Sequence, residues 1–201
     1  MSITTHEDTT AQGYLVALAS SAILSTTAVF IRYLTETYQI PALLLAFWRS
    51  FFVVLTLLLV LRLRRASLLR VARRHLPYLF GYGFVFAVFN GLWTLSVALN
   101  GAAVATVLVY SSAAFTALLA RWLLKELLSG AKVVAIVLCL AGCVLVAEAL
   151  DPAAWDRNLV GILTGTLAGL GYAVYSLMGR SAAQRGLNPW TTLLYVFGFA
   201  A

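Results

Sequence analysis

Long apolar stretches alternate along the chain with short polar links, most of them basic. Residues 13–31 carry no charged side chain, and such a run approaches the roughly 20 residues a helix needs to cross a bilayer. The pattern predicts a first spanning helix over 13–34. Pro41 opens a second apolar block, to residue 61, interrupted only by Arg49, and a basic stretch at 62–75 follows. From Leu76 to Ala120 the chain has no charge; these 45 residues are too many for one crossing and right for two. Asn100-Gly101 is the turn signal inside them, which places spans at 76–99 and 102–123. A charged link from Lys125-Glu126 to Lys132 leads to a fifth span at 132–149. Asp151-Pro152 through Asp156-Arg157 reads as a loop, and a sixth span follows at 159–179. After a polar link from Arg180 to Asn188, Pro189 begins a seventh apolar block of 13 residues, too short to cross.

Composition agrees with this reading. Hydrophobic residues make up 62% of the 201 and charged residues only 10%, against about 25% charged in soluble domains. A soluble fold of this length could not hide so much apolar surface. The expected class is an all-α integral membrane protein with six complete transmembrane helices and a truncated seventh. A soluble enzyme, a disordered chain and a disulfide scaffold are excluded. Glu7 and Asp8 head the chain without any Lys or Arg, the reverse of a cleaved signal peptide.

The net charge of +7 does not point to nucleic acid, because Arg62, Arg64, Arg65, Arg70, Arg73 and Arg74 cluster in one link between spans. Such clusters set topology or touch anionic lipid. Links after the second, fourth and sixth spans hold eleven basic residues, and the opposite side holds Arg32 and Arg157. The positive-inside rule therefore expects a cytoplasmic amino terminus. The expected location of this multi-pass protein is the plasma membrane, a bacterial inner membrane. Tyr33, Tyr38, Tyr78, Trp122, Trp155 and Trp190 fall near span ends, where interfacial aromatics sit.

A shift of 148 residues lays the first span over the sixth: Gly13 meets Gly161, Arg32 meets Arg180 and Pro41 meets Pro189. The sixth span carries small residues at every fourth position, Gly161, Gly165, Gly169 and Ala173. The first has Gly13, Ala17, Ser21 and Ser25 at the matching places. Such ladders let helices pack closely in lipid, so Gly161, Gly165, Gly169, Ala17 and Ser21 are expected packing positions. The period is five helices, an odd number, which makes the repeat inverted. Secondary transporters are often built this way, with the substrate site near the midplane. The expected division is a tail at 1–12, a first five-helix repeat at 13–150, an external connector at 151–158 and the opening of a second repeat at 159–201.

The chain resembles the EamA-type branch of the drug/metabolite transporter superfamily. The resemblance lies in Phe47-Trp48-Arg49-Ser50, in the run from Ala98 through Ala149 with Leu123-Leu124-Lys125-Glu126 and Ala141-Gly142, and in Gly161 to Tyr175. It implies a ten-helix, inverted-repeat (5+5) fold and a secondary carrier that exports a small metabolite. Two departures stand out. A proline common near the middle of the family's fourth helix is replaced by Ser111-Ser112-Ala113-Ala114, so the bend that accompanies it loses its usual cause. The proton-coupling acid of the small multidrug relatives has no counterpart between Gly13 and Ile31.

Arg49 is the main chemical anomaly. It lies eight residues past Pro41, about 12 Å deep, where a charge costs at least about 2.5 kcal/mol. It either faces a central cavity, ready for a carboxylate or phosphate, or snorkels or bonds carbonyls at a helix break. Trp48, Asn90, Tyr110, Ser111, Tyr172 and Tyr175 fall at similar depth and complete the expected substrate-binding set; each could equally be a packing residue that bonds its own helix. Glu148, at the outer end of the fifth span, could reach Arg49. Glu126 and Lys132 form a candidate cytoplasmic gate, or a plain solvated helix end. Cys139 and Cys143 share a helix face without nearby His, which suits small buried residues better than a metal site. No catalytic group, metal or cofactor is expected. The expected partners are the bilayer and a small-molecule substrate, and a homo-oligomer stays open. Two other functions fit the pattern: a lipid-linked-sugar flippase, or a non-transporting membrane subunit, scaffold or sensor.

Overall fold

Gly101, with φ of 83°, ends one apolar helix and starts the next, so the long uncharged run folds back on itself at the expected turn. The computed structural model describes the backbone over 4–124, 129–146 and 152–201, and side chains at 14, 18–122, 129–145 and 159–201. Eight α-helices and two short 3₁₀ turns fill the described residues, and no strand occurs among them. They are α1 (Thr4–Thr37), α2 (Ala42–Arg64), α3 (Leu76–Asn100), α4 (Ala102–Tyr110), α5 (Ser112–Leu124), α6 (Gly130–Val146), α7 (Pro152–Gln184) and α8 (Pro189–Ala200). The basic stretch forms the two turns, Ala66–Leu69 and Arg73–His75.

Among the described residues five stretches are long and apolar enough to cross a membrane: Leu18–Thr37, Ala42–Arg64, Arg73–Asn100, Ala102–Trp122 and Leu159–Gln184. The expected fifth span is the shorter apolar helix α6. The stretch read as a loop from Asp151 is helical from Pro152 onward. Proline suits a first helical turn, where its missing N–H would have had no partner, and polar residues need not interrupt a backbone ladder that is already formed. For the same reason α1 begins before its apolar part.

α3 and α7 form the centre and run antiparallel. Tyr78 Oη donates to Met178 O at 2.6 Å near one end of the pair, and Ser96 Oγ donates to Gly161 O at 3.1 Å near the other. Leu79, Tyr82, Phe86, Ala182 and Val196 bury one core between α3, α7 and α8. α7 runs parallel to α4 and α5, since Gly165 meets Leu108 and Gly169 meets Ser111. α1 joins through its last turns: Ala28 and Ile31 pack with Val97, and Arg32 donates to Ala98 O at 2.8 Å. The carboxyl ends of α1 and α3 therefore lie together, and α1 runs against α7. This end of Arg32 also pairs with Glu36.

The small residues of α7 face its neighbours. Gly161, Gly165, Gly169 and Ala173 are all buried. A Cβ at Gly165 would lie 2.6 Å from Leu108 Cδ1 and 2.7 Å from Ser96 Oγ. On α1, Ser21 and Ser25 are exposed, and Ser25 Oγ bonds its own helix at Ala22 O. α1 meets α3 and α4 through Ala28 and Ile31. The side chains of Gly13 and Ala17 lie outside the described residues. Tyr78, at the start of α3, is half-buried and bonds α7 through its hydroxyl.

The expected fourth span is two helices. Ser111 N–H bonds Leu108 O at 3.1 Å, an i−3 bond that tightens the chain between α4 and α5. The break thus forms without a proline. Cys143 Sγ donates to Val107 O at 3.2 Å and Cys139 Sγ to Tyr110 O at 3.3 Å, so α6 supplies donors beside the irregular turn.

Candidate functional site

Arg49 lies on the face of α2 that meets α3. Its Cζ sits 4.9 Å from the ring centroid of Trp93. A guanidinium over an indole face gains a quadrupole attraction, stronger where water is excluded. Among the described residues no carboxylate pairs with it. Glu148, considered as a partner, lies outside them.

One turn before Trp93, Asn90 reaches the same helix. It is buried, and its Nδ2 donates to Ala46 O and to Ser50 Oγ, both at 3.2 Å. Ser50 Oγ in turn donates to Ala46 O at 3.1 Å. Thr94 Oγ1 donates back to Asn90 O at 2.7 Å. The amide oxygen Asn90 Oδ1 is also buried, yet accepts no hydrogen bond among the described residues. A buried acceptor without a donor carries a desolvation cost. The α2–α3 interface therefore combines a cation on an aromatic ring with an unfilled acceptor. Chemically it can take an anion at Arg49 and a donor at Asn90.

The EamA-like transporter family model matches residues 11–147. The chain belongs to that family. No curated protein and no solved structure matches it. The matched range contains Arg49, Asn90 and Trp93 and reaches past α6, while α7 and α8 follow it. With its apolar spans, this EamA-like protein is a multi-pass membrane transporter. The family is one of transporters, not of enzymes. Among the described residues no group of three His, Cys, Asp or Glu could hold a metal ion.

The other expected substrate residues of this EamA-like chain lie elsewhere. Trp48 is 43% exposed on the outer side of α2, in a ring ladder with Phe47, Phe51 and Phe52. Tyr110 is 60% exposed and offers α6 only its carbonyl. Ser111 is buried, but its hydroxyl bonds Leu108 O at 2.6 Å and packs at Gly169. Tyr175 stands between Tyr82 and Phe86, with ring centroids at 5.0 and 5.3 Å. Tyr172 meets Phe89 edge-on and borders a separate cleft with Lys132. Glu126 lies outside the described residues. Of the expected set, Arg49 and Asn90 meet at the α2–α3 interface, while Tyr172 and Tyr175 meet beside Phe89 between α3 and α7. The sequence reading does not single out Trp93 or the network role of Ser50, although Trp93 sits three positions after Asn90, on the same helix face.

Proposed function

We propose that this transporter is a secondary carrier that exports a small polar or amphipathic metabolite by alternating access around a central cavity, with Arg49 as its anion-recognising group. The observation that carries the reading is the cation of Arg49 held inside a span on Trp93, one helical turn from the unfilled acceptor of Asn90. A charge inside a span with no carboxylate partner among the described residues is expensive, and recognition of an anionic group is the use that justifies it. The opposed directions of α1 and α7 suit an inverted pair of five-helix repeats, and ten spans in all, with the substrate between them. The basic link after α2 suits a cytoplasmic amino terminus in the plasma membrane.

Counterflow of labelled amino acids and other small polar metabolites into proteoliposomes containing the complete gene product tests this. Arg49→Ala should abolish exchange of an anionic substrate, and Arg49→Lys should retain part of it. Equal exchange by parent and Arg49→Ala overturns the role of Arg49. No exchange of any small solute by the parent overturns the carrier reading itself.

A further inference from the structure

α5, α6 and α7 border a cleft of about 490 Å³, separate from the α2–α3 interface. One wall runs from Ser112 to Ala120 on α5, the other from Tyr172 to Arg180 on α7. Each covers nine residues of helix, eight rises, a slot about 12 Å long. The two helices are parallel, so Ala120 and Arg180 share one end, and Lys132 of α6 joins them there. This is the basic end of the bundle. Arg185 Cζ sits 4.2 Å over the ring of Tyr78 at the start of α3, and Thr191 Oγ1 of α8 bonds Leu68 O in the basic stretch.

Chemistry changes along the slot in a definite order. Two cationic side chains mark its mouth. Hydroxyls of Thr116 and Ser176 lie further in, and Ala113, Ala117 and Leu177 supply apolar wall. Thr106, Thr164 and Thr166 spend their hydroxyls on carbonyls of their own helices. Among the described residues Thr116 and Ser176 make no such bond, and both can donate into the slot. Beside it the surface is lipid-compatible, with Leu118 and Val137 exposed.

We propose that this slot binds an anionic phosphoryl head group, and that its source is a membrane phospholipid. Lys132 and Arg180 meet the phosphate, Thr116 and Ser176 donate to the ester oxygens, and the alanine face takes the start of an acyl chain. Basic pockets between spans at a positively charged end hold anionic head groups by these means. A free phosphate would engage the mouth alone and leave the hydroxyls and apolar wall unused.

Native mass spectrometry of the full chain, released from detergent with phosphatidylglycerol, phosphatidylcholine or inorganic phosphate, provides the test. One phosphatidylglycerol should stay bound, phosphatidylcholine should not, and inorganic phosphate should not displace the lipid. Lys132→Gln with Arg180→Gln should weaken retention about thirtyfold, at roughly fivefold per cation. Ser176→Leu fills the slot, leaves both charges in place and should cost at least about fivefold, as much as one cation. Should the double charge variant fail to fold, Ser176→Leu decides. Arg64→Gln with Arg65→Gln removes charge from the same end outside the slot and should change retention less than about threefold, below the effect of one cation. Unchanged retention in the slot variants, or equal retention of phosphatidylcholine, overturns the site. Displacement by inorganic phosphate overturns the lipid as its occupant.

Discussion

The guanidinium of Arg49 lies over the indole of Trp93, 4.9 Å from the ring centroid, and this pairing joins α2 to α3 inside the apolar layer. A cation on an aromatic face is held without being neutralised. It keeps its positive field for an incoming anion, which a carboxylate partner would cancel.

Trp93 should therefore matter for transport through Arg49. Loss of a cation–π contact is worth about 0.5–2 kcal/mol, so Trp93→Leu should reduce substrate exchange by roughly two- to thirtyfold. Trp93→Phe retains a ring and should fall between. Initial exchange rates in proteoliposomes, with the melting temperature of each variant as a control for folding, check this. A Leu variant with parental exchange would separate Trp93 from the transport site.

Asn90 ties α3 to α2 by two donated bonds. Bonds of this kind within membranes average about 0.6 kcal/mol. Asn90→Leu removes both, but also removes the buried, unpartnered Oδ1. The net loss of stability should be small, about 1 kcal/mol or less. Asn90→Asp should be far worse. It cannot donate when ionised, and it sets a second acceptor against Ala46 O and Ser50 Oγ. Unfolding of both variants in mixed micelles should show Asp destabilised well beyond Leu; the reverse order would contradict these bond directions.

Spans and turns are legible in the sequence because lipid enforces them. Gly101 can be placed from an uncharged run too long for one helix and a turn signal within it. Position around a helix axis is not legible. Trp48 and Arg49 are neighbours in sequence, yet successive residues point about 100° apart on a helix, and the two face opposite surroundings. Depth alone groups Tyr110 with Arg49, although the fold turns Tyr110 outward. The break at Ser111 escapes a sequence reading because its cause is not a proline. It rests on a tightened turn and on thiols brought from α6, a contact between distant parts of the chain.

Gly165 sets how closely α7 approaches α3 and α4. A Cβ there would fall 2.9 Å from Leu108 Cβ, an atom near the backbone that cannot swing aside. Gly165→Ala should force the helices apart at a cost of about 1–3 kcal/mol. At Gly142 an added Cβ would meet nothing within 4 Å, so this glycine is the natural control and should accept Ala with little change. Thermal melting in detergent distinguishes the two sites, and equal tolerance would mean that the ladder is not a close-packing surface.

Cys143 and Cys139 hold α6 against the break between α4 and α5. Each thiol donates to a carbonyl there, Val107 O and Tyr110 O. Thiol bonds are weak, about 0.5–1 kcal/mol each, so Cys139→Ala with Cys143→Ala should lower stability by about 1–2 kcal/mol. Ser at both positions restores a donor of similar size and should recover part of that loss. Alanine leaves the carbonyls to find other donors, which in an apolar layer means water entering beside Ser111. Hydrogen exchange at α4 and α5 should therefore rise in the alanine variant and return toward the parent with serine. If exchange at α4 and α5 is the same in all three proteins, the thiols are bystanders to a break that α4 and α5 maintain alone.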